Sequence, residues 1–486
     1  MELNELSCIA YTRFVNENFE SPFPDDDRLF NKALPSDTPI EPGSNKPMIS
    51  RSPYAPSPES SVHTVLKKLS KQGFRVSNRF IDYVSEIFPR NSNKRKLWQD
   101  AIDRTFLGLW RNRDKVIYCD TFYDWRGRVY HMSGEWGSLQ NNKMSRAALS
   151  TPEKYAVDIN SEHYAYMIKV FKHEGWPTTY EEAYHYLMNP DYNGDGALDW
   201  MAVRAALTIG EIHDTGMTDY LLEQDATCSG FQHMGLIMRD MKLCKIVNAI
   251  FTEEVLVELY THVAEAGKVA ELLFDGSKTK ARSFTKKIVM LTGYGSGAHG
   301  LASSYWNDYG GNGELNDDGR LIPDEDSTIY IGKMEFSFEA LKQFVKARQD
   351  VLFDEFASLE ILRNLCVRFF ASCMQEDPSK FTWTTPDGFT ALRIITEDEQ
   401  EKNAVSAAGA MPNLIHSLDA AIVRQTILSW NGDLGVVHDA FFTGINDALE
   451  LREHVKNAYA DVHTNLENFP IQAKGKLPAI GRCIGV

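Results

Sequence analysis

The stretch "VVHDAFFTG", residues 436–444, is an apolar run with a His-Asp pair at its centre. A strand core rarely holds a carboxylate unless something binds it, so Asp439 is expected to hold a partner rather than to pack. The run predicts a strand over 434–443. Strand-like runs of the same kind occur at 116–123, 218–224 and 381–392. Between them, from near Ser61 to about residue 430, helical spacing dominates; Val62, Val65, Leu69, Phe74, Phe80, Val84 and Ile87 open it. The pattern predicts an α+β fold, mostly helical, with a small sheet assembled from distant segments. No internal repeat is evident.

The chain has 486 residues and a formal net charge of -16. That length allows several subdomains and a sizeable core. The acidic balance argues against a generic nucleic-acid binder, so any basic groove must be local. Residues 90–96, "RNSNKRK", and the pairs Lys67-Lys68 and Lys286-Lys287 are the visible basic runs, and such runs are most often solvated faces. The seven cysteines form no CxxC pair and no zinc spacing, which suits buried thiols in a reducing compartment. With no long apolar span and no leader-like start, the expectation is a cytoplasmic protein that avoids membranes.

Nine of the nineteen prolines fall within residues 21–62, which predicts an extended arm over 1–62, a linker or a strap against a partner. "DYNGDGALD", 191–199, matches the first half of a calcium loop through Asp191, Asn193, Asp195 and Gly196. Its twelfth position is Ala202 where a bidentate Glu is needed, so a hydrogen-bonded turn is expected instead. "GGNGELNDDGRLIPDEDS", 310–327, reads as an exposed insertion.

Five constellations carry chemistry. In "LLEQDATCSGFQHMGLIMRD", 221–240, Asp225 ends an apolar stretch and Ser229-Gly230 opens a helix expected to be amphipathic. Such a corner lifts a carboxylate out of a sheet, although a lone Asp there is more often a helix cap. In "KARSFTKKIVMLTGYGSGAHG", 280–300, Arg282, Lys286, Met290 and Tyr294 recur every four residues and share one helix face. Two cations in one turn followed by an aromatic suit a polyphosphate with a flat base beyond it; the alternative is a helix with solvated cations and a core tyrosine. In "GAMPNLIHSLDAAIV", 409–423, Pro412-Asn413 starts a helix carrying His416 and Asp419, and "YCDTFYDWRGRVYHMSG", 118–134, places Arg126 and Arg128 around Gly127. Arg-Gly-Arg in a turn can lie along a phosphate backbone. The fifth is His438-Asp439 itself.

Taken in order, "DWRGRVY", "DATCSGFQH", "RSFTKKIVMLTGYGS", "TTPDGF", "PNLIHS" and "VVHDAFFT" resemble the single-subunit, phage and mitochondrial type of DNA-directed RNA polymerase, over the catalytic part from about residue 61 onward. The resemblance implies a right-hand fold of palm, fingers and reduced thumb with a small antiparallel palm sheet. It divides the chain into the arm 1–62, a helical thumb-like region 63–115, palm 116–240, fingers 241–412 and palm 413–486. It implies Asp225, Asp439 and the Ala226 carbonyl as Mg²⁺ ligands, a donor set that suits a small hard cation. Arg282 and Lys286 would contact the triphosphate, with Lys286 as general acid for pyrophosphate. Tyr294 and His416 would read the nucleotide sugar, and Tyr260 would complete the nucleotide pocket. His438 would hold the primer end, and Arg126 and Arg128 the template or hybrid. DNA template, nascent RNA and ribonucleoside triphosphates follow as partners, in the host cytoplasm if the protein is viral.

The departures matter as much. No counterpart of the family's promoter-binding domain precedes residue 61. Between "TTPDGF" and "PNLIHS" the segment 392–409, "LRIITEDEQEKNAVSAAG", is short and acidic, a poor reader of DNA. These features resemble the large subunit of two-polypeptide phage polymerases and imply a second subunit or promoter-recognition factor. The ending "LPAIGRCIGV" and the residues Ala440 and Phe442 also depart from the family's pattern. Two other readings stay open at this point: a DNA polymerase of the related family, and a non-catalytic scaffold of the same fold. The Ser229-Gly230-x-Gln232-His233 string and His416 weigh against the first, and retention of both aspartates, Lys286 and Tyr294 against the second.

Overall fold

A computed structural model describes residues 36–42, 49, 59–87, 102–113, 115–131, 138–190, 198–226, 228–250, 258–315, 321–324, 326–397, 409–471, 476–481 and 483–485. The expectations for 90–96, for most of the 1–62 arm, for 191–197 and for 398–408 lie outside them. The chain forms two compact units. Residues up to Ala226, with Val423–Val455 and the stretch from Ile484, make the first; Thr227–Ile422 with Lys456–Cys483 make the second. The architecture is α+β, helices around small antiparallel sheets.

The first unit is organised by six strands of its main sheet: β1 (Gly73–Val76), β2 (Val116–Tyr118), β5 (Leu149–Ala156), β6 (Met217–Gln224), β7 (Gly435–Val437) and β8 (Ala440–Gly444), with a side hairpin of β3 (Thr121–Tyr123) and β4 (Val129–His131). The order is β7-β8-β6-β5-β1-β2, antiparallel throughout. Side chains alternate faces along a strand. Leu221 of β6 and Phe442 of β8 therefore join Phe74, Val76 and Ile117 in one core, while Tyr220 and Leu222 join Tyr166, Phe171 and Ile209 in the other. Phe74, whose spacing reads as helical, lies in a strand between helices Ser61–Ser70 and Asn78–Ile87. Gly73 explains the break, because a Cβ there would meet Val116 Cγ1 at 2.6 Å across the ladder.

Helix α1 (Trp200–Thr215) is buried over nearly its whole length and carries Arg204 into the sheet. Its guanidinium bonds Ser77 Oγ at 2.6 Å, Ser150 Oγ at 3.0 Å and the Asp219 carboxylate on β6. A buried charge is tolerated only when paired and hydrogen-bonded in this way. Burial would raise Asp219, but Arg204 overrides it and holds the carboxyl below its ordinary range. Where the proline-rich arm is described it lies as a strap, with Ser36 bridging Tyr118 and the buried Ile49 bridging Tyr123. Lys68 is structural: its ammonium caps the carbonyls of Ile427, Leu428 and Trp430.

The second unit is built on helices α2 (Ser229–Met238), α3 (Leu259–Ala266), α4 (Lys278–Gly293) and α5 (Ala410–Ser429, its part before Val423), with the long helices Phe338–Glu355 and Ala357–Glu376. The 310–327 insertion contributes the short hairpin Gly313–Leu315 and Leu321–Pro323. Contrary to the amphipathic expectation, α2 is buried all round, Ser229 to Ile237. Two of its buried polar residues, Gln232 and His233, are satisfied within the core. Gln232 Nε2 donates to the carbonyls of Val247 and Cys483, both at 2.9 Å, and its Oε1 accepts from Tyr459 at 3.0 Å. His233 lies 3.0 Å from Asp419 Oδ1 through Nε2 and 2.8 Å from His463 Nε2 through Nδ1. The Gln-His of the motif thus builds a polar core, for which the sequence offered no local reason.

Candidate active site

"VVHDAFFTG" is not one strand but a hairpin. Val437 pairs with Ala440, and His438-Asp439 form the two-residue turn between β7 and β8. His438 takes φ 57°, the left-handed region that two-residue hairpin turns require and that non-glycine residues enter at a cost. Its ring meets Tyr130 of β4 edge-on at 5.5 Å. The apolar flanks, Val436 to Val437 and Ala440 to Phe442, are buried, whereas His438 is exposed and Asp439 half-buried. The charge that looked misplaced in a core strand stands at its rim.

β8 pairs with β6, Phe441 opposite Gln224. Asp225 follows β6 directly and is exposed, so it stands at the same sheet end as the Asp439 turn. Cα atoms opposite each other across such a ladder lie about 4.5–5.5 Å apart, with diagonal neighbours a little further. The end of β6 is held from several sides. Gln224 accepts from Tyr166 Oη at 3.0 Å and donates to the Ala448 carbonyl at 3.1 Å. Gly485 N donates to the Asp225 carbonyl at 3.1 Å, and Ile484 bridges Ala226. Gly485 has φ 67°, and a Cβ there would sit 1.9 Å from Tyr166 Oη, so that position demands glycine. One step back on the face of Asp225 is Glu223, 3.4 Å from Arg146. Burial raises its carboxyl, Arg146 opposes the rise, and Asp439 adds to it. The residue at the cap position of α2 is Cys228, with no side-chain cap bond.

The Arg-Gly-Arg turn joins β3 to β4. Asp124 accepts from the backbone N–H of Arg126 at 2.9 Å and of Arg128 at 3.0 Å, and pairs with the Arg126 guanidinium at 2.7 Å. Gly127, at φ 89°, presents its carbonyl to the buried Arg424 at 2.7 Å. Sequence reasoning did not weigh Asp124, yet it organises the loop.

The second unit gathers Tyr260, Arg282 and Lys286. The Arg282 and Lys286 cations lie 5.7 Å and 5.6 Å from the centre of the Tyr260 ring. Glu258 pairs with Arg282 through Nε at 3.0 Å and Nη2 at 3.1 Å. Tyr260 Oη is 3.0 Å from Cys228 Sγ. Burial raises both groups, the thiol to about 12 and the phenol further, so both stay protonated at neutral pH. Lys287 points elsewhere, to Asp308 and the Ser304 carbonyl, which separates the two lysines of that pair.

Tyr294 caps α4, its N–H on the Met290 carbonyl. Its ring meets His416 on α5 edge-on at 5.2 Å. Two glycines make this corner. A Cβ on Gly230 would lie 2.7 Å from Tyr294 Oη, and one on Gly293 would lie 2.4 Å from the Phe231 ring. "SGF" and "GYG" are therefore two halves of one contact. "TTPDGF" is the tight turn of a hairpin, Lys380–Thr384 with Thr390–Ile394, closed by Thr385 and Phe389 around Gly388 at φ 87°. That hairpin is tied to α5 by Trp383 Nε1 donating to Ser417 at 2.9 Å, next to His416.

The sequence model of the DNA-dependent RNA polymerase family matches residues 200–470, more than half of the chain. The chain belongs to that family. Its match begins at the first residue of α1 and takes in Asp225, the α4 cations, His416 and Asp439. A probable DNA-directed RNA polymerase of Gelasinospora sp. (strain G114) is 21% identical over 82% of this chain and 54% of its own length. The DNA-directed RNA polymerase of Pseudomonas phage phiKMV is 22% identical over 74% of this chain and 50% of its own. T7 RNA polymerase of Escherichia phage T7 is 23% identical over 50% of this chain and 34% of its own. The chain spans between about a third and about half of the length of these relatives. Among the described residues no helix is long and apolar enough to cross a membrane.

Proposed function

We propose that the chain is the catalytic core of a DNA-directed RNA polymerase of right-hand fold. In this reading the six-stranded sheet is the palm and the second unit holds the fingers. The observation that carries the reading is the register that brings Asp225 and Asp439, remote in sequence, to one end of neighbouring strands.

Two carboxylates fit Mg²⁺, which keeps several waters and shares its remaining positions with substrate phosphates. Asp225 and Asp439 would be the ligands, with the Ala226 carbonyl as a further one. When bound there, the ions supply activation of the primer 3′-hydroxyl and stabilisation of the departing pyrophosphate.

The chain's own groups do the rest. Arg282 and Lys286 neutralise the triphosphate, and Lys286 delivers a proton to pyrophosphate. Tyr294, held by Gly230 and flanked by His416, meets the nucleotide sugar, so that the His416 ring faces a ribose 2′-hydroxyl. His438 steadies the primer end, and Arg126 and Arg128 lie along the template or hybrid. The substrates are ribonucleoside triphosphates, a DNA template and nascent RNA. The short acidic stretch 392–409 favours promoter reading by a second subunit or factor.

Primer extension on a DNA template, with ribo- and deoxynucleotides side by side, tests the reading. Mg²⁺-dependent extension that prefers ribonucleotides is the expected result, with no initiation by the chain alone on promoter duplex. Preference for deoxynucleotides would favour a DNA polymerase, and efficient promoter-specific initiation would remove the partner.

A further inference from the structure

Glu258 has no place in the scheme above, yet it makes the tightest contact in the cation cluster. Its Oε1 accepts from Arg282 Nη2 at 3.1 Å and its Oε2 from Arg282 Nε at 3.0 Å, a two-point pair on the side edge of the guanidinium. The same carboxylate is tied to its own helix. As the N-cap of α3 it accepts from Thr261 Oγ1 at 3.1 Å and from Thr261 N at 3.4 Å. Tyr260, over which both Arg282 and Lys286 lie, is two residues further along that helix. One rigid helix start therefore fixes the anchor, the aromatic platform and the orientation of Arg282.

An arginine carries five N–H donors in a planar fork. Glu258 takes one from Nε and one from Nη2, and the remaining three point away from the pair. We infer that Glu258 is a positioning residue for triphosphate binding: it orders Arg282 so that the opposite edge of the guanidinium is presented, beside Lys286, to the phosphates of the incoming nucleotide. The inference rests on the triphosphate role proposed for Arg282 and Lys286. An ordered guanidinium has already given up the rotamer freedom that a free arginine would lose on binding.

The opposite effect has a physical basis too. A carboxylate beside the site repels phosphate, and its removal would strengthen the positive field. The side chains of Arg282 and Glu258 are 43% and 29% exposed, so water and salt screen that repulsion. Ordering acts through direct hydrogen bonds at 3.0 and 3.1 Å, which salt weakens less than a longer-range repulsion, and it decides the sign. Neutralising Glu258 weakens nucleotide binding, although it removes a negative charge.

The test measures inorganic tripolyphosphate binding to the full chain by calorimetry, with nucleotide kinetics alongside. The unaltered chain binds, and Arg282→Ala loses binding. Were Arg282→Ala to bind unchanged, the triphosphate reading itself would fall. Glu258→Gln keeps an oxygen for the Thr261 cap but loses the charged pair. It weakens tripolyphosphate binding about tenfold, the equivalent of about 1.4 kcal/mol, and raises the nucleotide KM by the same factor with kcat little changed. The loss persists at high salt. Equal or tighter binding by Glu258→Gln, with Arg282→Ala still defective, overturns the inference and spares the triphosphate reading. If Glu258→Gln lowers the unfolding midpoint, Arg282→Lys decides the matter. It keeps the charge but cannot make the side-on pair, so it must show the same loss; unimpaired binding refutes the inference.

Discussion

Asp439 lies one residue short of the position facing Asp225 across the β8–β6 ladder, since Phe441 pairs with Gln224 and Ala440 therefore comes opposite Asp225. At ladder spacing the register sets the two residues on neighbouring strands at one end of the sheet, where the proposed metal site would need both carboxylates. Each owes its place to a different device. Asp225 is aimed by a strand whose last residue is clamped by Tyr166 and Ala448. Asp439 is aimed by a turn that His438 enters at positive φ.

The Gly230–Tyr294 contact predicts a rescue. Gly230→Ala places a methyl 2.7 Å from Tyr294 Oη and 3.3 Å from Cζ, so the ring must shift. The expected outcome is a destabilisation of about 1–3 kcal/mol, the usual range for overpacking, with weaker discrimination between ribo- and deoxynucleotides. Tyr294→Phe removes the closest atom, so Gly230→Ala combined with Tyr294→Phe recovers part of the lost stability. Denaturant unfolding of both single variants and the double variant measures the coupling. Strict additivity would show that the contact is not tight.

The Arg204–Asp219 pair predicts an acid limb. The Asp219 carboxyl is lowered in the fold, so it contributes stability above the ordinary carboxylate range of about 4, lost as pH falls through its folded value. Arg204→Met leaves the buried carboxylate unpaired and costs about 3–5 kcal/mol at neutral pH. Burial then raises the Asp219 carboxyl, and the sign reverses: the variant loses stability as pH rises above about 4. Stability against pH for both proteins checks this. Parallel curves would mean that the pair is energetically idle.

Much of this fold could be read from patterning. The strand-like runs at 116–123, 218–224, 381–392 and 434–443 all hold strands, but three of them are interrupted where periodicity gives no mark, 381–392 and 434–443 by turns and 116–123 at Cys119-Asp120. His438-Asp439 is the instructive case, because the pair sits inside an apolar run that reads as one strand, and the Val437–Ala440 pairing with the backbone angle at His438 makes it a turn. The adjacency of Asp225 and Asp439 was not legible, since register between remote strands is set by the packing of both faces rather than by local sequence. Gly230 and Gly293 were legible as motif letters without their reason, which is close approach by Tyr294 and Phe231. Glu258 and Asp124 escaped notice because an acidic residue near a cation reads as ordinary surface until the pair is seen.

The most direct measurement is Mg²⁺-dependent extension of an RNA primer on a DNA template by Asp439→Asn and Asp225→Asn, each beside the unaltered chain. Asparagine keeps the shape of the side chain and removes the charge that would hold the metal. Folded variants, matching the parent in thermal unfolding, are predicted to lose extension by at least about a thousandfold, the scale of removing a main electrostatic element from such a site. Substantial extension by either folded variant would contradict the assignment of the carboxylate pair as the metal site.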